Sequence, residues 1–253
     1  AGSNNFGTVN NLAAIDQSTD TPTNNFATLN SISGLATPSG YSASRTYSEG
    51  NLVVDCPGTS FVTAVSTIGM STGKWYFEAK LTAGSSGNPR GLVGICYQPT
   101  VIDEVGNYMG SATDPGSIGY YAQNGDVYKA DSAVYSGSDF DTGDTISCAL
   151  DLDNQEVYFA KNGTWQNSGD PESGASGTGG VDTDDPADRH GFYFFGVGDP
   201  SAVYAQTFSV NFGSPAHAIT SGNADANGYG NMEYAIPDGY YCLCSKNLAE
   251  FGG

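Results

Sequence analysis

Apolar and polar residues alternate along Lys74-Trp75-Tyr76-Phe77-Glu78-Ala79-Lys80-Leu81. Trp75, Phe77, Ala79 and Leu81 share one face, and Lys74, Tyr76, Glu78 and Lys80 share the other. A period of two predicts an antiparallel strand with one face in a core and the other toward water. Thr145 to Leu152 repeats the pattern, with Ile146, Cys148, Leu150 and Leu152 on one side. Asp153-Asn154 then offers a turn, after which Val157 and Phe159 resume the apolar face. Asn162-Gly163 follows, and Asn124-Gly125 sits between Tyr120-Tyr121 and Val127-Tyr128. Asn-Gly is a strong hairpin signal because both residues tolerate positive φ. Phe192 to Phe195, and Phe208, Val210 and Phe212, read as two further core strands.

Two stretches break the pattern. Residues 169–188 and 214–230 are polar and rich in Gly, and read as long exposed loops. No segment has helical periodicity beyond one or two turns. Many short strands with regular turn signals predict an all-β sandwich or barrel. The division that follows is an extended N-terminal arm over 1–38, a β-sandwich over 39–216, and a Gly-rich loop with a C-terminal closing strand over 217–253. The arm holds a short repeat: Asn4-Asn5-Phe6-Gly7-Thr8-Val9-Asn10 returns as Asn24-Asn25-Phe26-Ala27-Thr28-Leu29-Asn30. Two copies are too few for a solenoid. They suit segments that dock the arm on its own sandwich, or an arm that reaches a neighbouring subunit.

Composition strengthens the β reading. The chain has 35 Gly, 16 Tyr and 12 Phe, and Gly-rich, aromatic-rich sequences favour strands and tight turns. The net charge is −19 with only eight Lys and Arg. A nucleic-acid groove needs a basic patch to displace counterions, so neither nucleic acid nor an anionic membrane is an expected partner. No stretch approaches the ~20 apolar residues of a membrane span. The chain opens on Ala1 without Met, which leaves open both processing and a piece of something longer. Five Cys cannot all pair within one chain.

The ordered strands resemble the SPRY family. Gly73-Lys74-Trp75-Tyr76-Phe77-Glu78 is similar to the strand that opens many SPRY domains. Gly91-Leu92-Val93-Gly94-Ile95 resembles the following VGI strand, and Ser117-Ile118-Gly119-Tyr120-Tyr121 the GY strand after it. Asp141 to Ile146 with Ala149-Leu150-Asp151-Leu152-Asp153 resembles the GDVIGVALDLD segment. Val157 to Gly163 resembles the FYKNG hairpin, and Phe208 to Gly213 the closing FNFG strand. The set covers about residues 50 to 213. The resemblance implies a concanavalin-like jelly roll of two antiparallel sheets, with rim loops for binding and no cofactor. The flanks, Asp20 to Asn30 and Tyr240 to Leu248, look like segments that bracket SPRY-like domains in bacteriophage structural and fibre-like proteins. That likeness implies a virion-surface role, as capsid decoration or as a head- or tail-fibre module, with other virion proteins as partners in a homo-oligomer or array. The 169–188 insertion and the 214–230 stretch depart from the family pattern, so no family site residue is carried over.

Candidate chemistry is sparse. Gly69-Met70-Ser71-Thr72-Gly73 matches the G-x-S-x-G string, but a nucleophile elbow needs a strand before and a helix after, and here a strand follows. The two His, His190 and His217, lie far from it in sequence. Glycosidases that resemble this fold often carry E-x-D-x-x-E on one strand; no Glu here is followed by Asp two positions on. Asp182, Asp184, Asp185 and Asp188 form an acidic run that fails the EF-hand template, since Pro186 and Ala187 occupy positions that need a ligand and a Gly. A looser calcium site and a solvated acidic loop are the two readings of that run. Cys242 and Cys244 lack the further soft ligands that zinc needs, and Cys96 and Cys148 read as small core residues. Tyr97, Tyr108, Tyr128, Tyr135 and Tyr229 fall at strand ends or in loops, where Tyr suits a binding rim. The expected function is non-enzymatic assembly at the virion surface. A receptor- or glycan-binding adhesin module is the alternative, and a glycan-cleaving enzyme is the remote one.

Overall fold

The computed structural model describes residues 20–32, 45–59, 61–85, 87, 89–97, 108–201 and 203–252. Among these, fifteen strands form two sheets. The nine-stranded sheet runs β1 (Thr46–Ser48), β2 (Val53–Cys56), β14 (Gln206–Asn211), β4 (Lys74–Gly84), β9 (Thr145–Asp151), β10 (Glu156–Lys161), β11 (Thr164–Trp165). Two short strands complete it: β12 (Val181–Asp182) pairs with β10, and β15 (Tyr241–Cys242) with β4. The six-stranded sheet runs β3 (Val62–Val65), β13 (Phe194–Asp199), β5 (Leu92–Cys96), β6 (Ile118–Tyr121), β7 (Asp126–Lys129), β8 (Ser132–Ser136). All pairings between these strands are antiparallel except β15 against β4. The all-β, two-sheet sandwich expected from the alternation is the observed architecture.

The inner faces are those read from the sequence. Trp75, Phe77, Ala79, Leu81, Ile146, Cys148 and Leu150 are all fully buried in one core with Val93, Ile95, Tyr120, Phe195 and Val197 of the facing sheet. Phe77 stacks on Phe195 across the sandwich at 4.4 Å between ring centres. Each large apolar side chain so buried contributes about 1.5–3 kcal/mol. The turns also match: Asn162 and Gly163 have φ of 48° and 77°, and Gly125 has φ of 76°. Phe192 does not join the core; it is 49% exposed, and β13 begins only at Phe194.

The outer face of the nine-stranded sheet departs from expectation. Tyr76 and Glu78, read as solvent-facing, are fully buried. The stretch 214–230, read as an exposed loop, runs into a cover that reaches the C-terminus. Its length is polar, so hydrogen bonds to buried carboxylates hold it. Glu78 accepts from the backbone amides of Glu233 and Tyr234, both at 2.8 Å, and from the Tyr76 hydroxyl at 3.0 Å. Asp225 accepts from the amides of Asn227, Tyr229 and Cys242 and from the Asn247 side chain. Burial pushes the Glu78 carboxyl above its usual range, partly offset by those amides. Tyr76, Tyr158, Met232, Tyr240, Cys242 and Cys244 form a second apolar cluster beneath the cover. The closing segment is a two-residue strand followed by a seven-residue helix, α1 (Ser245–Phe251), rather than one strand.

The described part of the arm docks on the same sandwich. Phe26, Ala27 and Leu29 are buried, and Ala27, Leu29 and Asn30 donate backbone hydrogen bonds to Leu243, Asn51 and Val65. The first copy of the repeat, at 4–10, lies outside the described residues. The 169–188 stretch is partly structured: Pro171, Val181, Thr183 and Pro186 are buried, and β12 extends the sheet edge.

Candidate functional site

On the six-stranded sheet, three glycines lie side by side: Gly196 opposite Gly94, and Gly94 opposite Gly119. Their lack of side chains lets Met109 lie flat on the outer face. A Cβ at Gly196 would meet Met109 Sδ at 2.9 Å, and one at Gly119 would meet the Met109 carbonyl at 2.5 Å. Met109 is fully buried there with Val65, Leu92 and Cys96. Beside it opens a cavity of about 210 Å3, lined by Phe61, Leu92, Tyr108, Tyr121, Tyr128 and Pro200.

Strand alternation aims the rings. Tyr120 points into the core, so Tyr121 points out; Val127 points in, so Tyr128 points out. Tyr108 and Tyr128 meet edge to face at 6.4 Å and 87°, and Tyr121 and Tyr128 at 6.2 Å and 68°. The three phenols therefore form walls at an angle rather than a stack. Each hydroxyl has a partner. Tyr108 donates to Asp131 at 2.7 Å and Tyr128 to Asp126 at 3.1 Å. Tyr121 accepts from Arg90 at 2.8 Å and donates to Gln123 at 3.1 Å. Burial and the Asp131 carboxylate raise the Tyr108 phenol, so it stays a donor at ordinary pH. Arg90 also contacts Gln123 and lies over the Tyr204 ring at 5.1 Å. Asp199, next to Pro200 but on the inward face, is 1% exposed, and burial raises its carboxyl to about 8.

Of the five expected rim tyrosines, the structure brings Tyr108 and Tyr128 together and separates the rest. Tyr97 is 6% exposed and belongs to the core cluster, under His190 and Arg189 at the other end of the sandwich. Tyr135 packs against the core, its hydroxyl buried. Tyr229 packs under the C-terminal cover, with Lys246 above its ring. Tyr121, Phe61, Leu92 and Pro200 were not anticipated; the in–out alternation at Tyr120-Tyr121 is the signal that marks Tyr121.

The acidic run is spoken for by the chain's own groups. Asp184 is ion-paired to Lys129 and Arg189, and this pairing holds its carboxyl below the usual range against the effect of burial. Asp185 caps the Ala187 amide, Asp182 lies in β12 beside Glu156, and Asp188 is exposed. Among the described residues no group of three or more His, Cys, Asp or Glu is arranged to hold a metal ion. Cys242 and Cys244 are buried, as are Cys56, Cys96 and Cys148. Ser71 donates to the Gly252 carbonyl at 3.4 Å in the turn that opens β4, while His217 bonds Ser209 and His190 stacks on Tyr97. The G-x-S-x-G string is thus a turn with no His beside its Ser.

A two-sheet antiparallel sandwich with an aromatic pocket on one outer face is the class these observations define. Residues 74–175 match the family model of the SPRY domain. The SPRY domain of human HERC1 has the same fold, with a TM-score of 0.52 at 18% identity over 66% of this chain and 91% of that one. A second human SPRY domain is 17% identical over 72% of this chain and 100% of that one, with a TM-score of 0.43. No curated protein matches the chain. The resemblance read from the ordered strands is therefore that of a SPRY domain, and its concanavalin-like fold is the one observed. SPRY domains are typically protein-interaction modules. Leu92, Tyr108, Tyr121 and Tyr128 fall inside the matched residues; Phe61 and Pro200 fall outside.

Proposed function

We propose that this chain is a non-enzymatic binding and assembly module whose Tyr108–Tyr121–Tyr128 pocket seats a side chain of a partner protein. The observation that carries this reading is the pocket itself. It is an open aromatic cavity of about 210 Å3 on the outer face of the six-stranded sheet, below the roughly 300–1,000 Å3 of small-molecule sites. Aromatic pockets that accept one anchoring side chain are where binding energy concentrates at protein interfaces. No arrangement of nucleophile, base and orienting group accompanies it among the described residues. The setting in which it acts is the virion surface, as decoration or fibre module; the support for that setting is the likeness of Asp20–Asn30 and Tyr240–Leu248 to segments of phage structural proteins.

The test is a photo-cross-linking amino acid placed at Tyr108 and, as a control, at exposed Val134, with particles purified and adducts mapped by mass spectrometry. Adducts to another virion protein from position 108 but not from 134 are expected. A chain present in the particle without adducts at 108 removes the pocket as the binding site. A chain absent from the particle removes the virion setting.

A further inference from the structure

The charge around the tyrosine pocket specifies its occupant further. Asp126 and Asp131 stand at its rim, and each accepts a hydrogen bond from a phenol of its wall. Neither carboxylate is part of an ion pair among the described residues. Two basic residues lie nearby, and neither is paired to Asp126 or Asp131. Arg90 is held by Tyr121, Gln123 and the Tyr204 ring, and Lys129 of β7 reaches away to Asp184 and the Asp182 carbonyl. The pocket thus combines three ring walls, two acids that outnumber the one guanidinium on the Tyr121 wall, and a chain whose net charge is −19.

We propose that the Tyr108–Tyr121–Tyr128 pocket takes a cationic side chain, the lysine or arginine of a basic partner protein. This rests on the reading of the pocket as a protein-binding site. The negative faces of tyrosine rings attract ammonium and guanidinium groups, and the attraction grows as the pocket is desolvated. A phenol that donates to a carboxylate has a more electron-rich ring, so Asp131 and Asp126 strengthen two of the walls. They also supply direct Coulomb attraction at the rim. An apolar side chain of equal length would fill the same volume but leave both carboxylates partly desolvated and uncompensated, which costs free energy. An acidic group would be repelled. Long-range attraction from the acidic chain speeds encounter with a basic partner and fades with salt.

Tyrosine ring resonances of the full chain, followed by NMR during titration, test the inference on the wild-type protein. The probes are capped Gly-Lys-Gly and Gly-Arg-Gly, the norleucine and glutamate analogues, and a neutral oligosaccharide. Saturable shifts at Tyr108, Tyr121 and Tyr128 are expected with the lysine and arginine peptides, with binding about tenfold weaker for norleucine. The Asp126→Asn/Asp131→Asn double variant, which keeps the acceptor oxygens, is expected to bind the lysine peptide about fivefold more weakly. Norleucine, glutamate or sugar binding as tightly as lysine overturns the proposal, and so does the absence of ring shifts with every probe. Cross-linking at position 108 in the particle separates the two failures: adducts there with no preference for lysine leave the binding module in place and remove only the cation.

Discussion

The outer face of the nine-stranded sheet carries Tyr76, Glu78, Ser147 and Asp151, all buried. The outer face of the six-stranded sheet carries Leu92, Tyr121 and Tyr128 around an open cavity. Both faces hold tyrosines beside acids, yet the acids do different things. Glu78 and Asp225 gather backbone amides of the chain's own C-terminal segment. Asp126 and Asp131 gather only phenols and small polar groups of their own surroundings. A buried carboxylate with a raised pKa is thus no mark of function here: at Glu78 it is a clip. On the proposed reading of the pocket, the acids that bear on a partner are instead Asp126 and Asp131, which no basic residue pairs among the described residues.

The clip gives the largest expected effect. Glu78→Ala leaves the Glu233 and Tyr234 amides without their acceptor, while the Tyr76 hydroxyl keeps Ser147. Each buried donor left unpaired costs about 1–3 kcal/mol, so a loss of about 3–5 kcal/mol in urea unfolding is expected, with faster proteolysis within 214–240. A loss under about 1 kcal/mol would mean that apolar contacts of Met232 and Tyr240, not the carboxylate, hold the cover.

Asp199 tests the end of the sandwich beneath the open face through pH. Its folded carboxyl keeps a proton up to about pH 8 because burial penalises the charge, whereas an unfolded Asp loses it near pH 4. Between those values the folded chain binds more protons than the unfolded one, so this group makes stability fall as pH rises. Asp199→Asn removes the titration. Urea midpoints of the variant are expected to fall less than those of wild type between pH 5 and pH 8.5. Equal slopes would show that Asp199 is charged in the folded chain and compensated by Arg90.

The inner half of this molecule was legible because hydrophobic burial writes a period. Trp75-Phe77-Ala79-Leu81 and Ile146-Cys148-Leu150 announce which side faces the core, and Asn162-Gly163 and Asn124-Gly125 announce turns that need positive φ. The cover over Tyr76 and Glu78 was illegible for the converse reason. The cover from 214 onward is held by hydrogen bonds between backbone amides and carboxylates, most of them distant in sequence, such as Glu233 and Tyr234 to Glu78 and Cys242 to Asp225, and such bonds impose no spacing on side chains. Polar composition then reads as exposure, and Glu78 reads as a surface charge. The pocket lay between these cases. Tyr108 and Tyr128 lie at strand ends or in loops, where Tyr suits a rim, but Tyr97, Tyr135 and Tyr229 share that position in the sequence and pack elsewhere. Convergence of Phe61, Leu92 and Pro200 on those rings depends on the pairing of β3, β13, β5 and β6, and strand order is not written in local sequence.

The smallest effect sharpens the comparison most directly, because it sets one hydroxyl on each face against the other. The Tyr76 hydroxyl is buried and bonds both Glu78 and Ser147; the Tyr128 hydroxyl is part-buried and bonds Asp126 alone. Tyr76→Phe leaves the buried Ser147 hydroxyl without its phenol partner and takes one of two hydrogen bonds from Glu78 Oε1, which keeps the Tyr234 amide, and a loss of about 1–3 kcal/mol is expected. Tyr128→Phe hands the Asp126 oxygen to water, so the change is expected to lie within about 0.5 kcal/mol, as for ordinary surface substitutions. Urea unfolding of the two variants side by side measures the difference. If Tyr128→Phe costs as much as Tyr76→Phe, the phenols of the open face are structural in the way those of the closed face are. The cavity would then be a by-product of packing rather than a surface kept free for a partner.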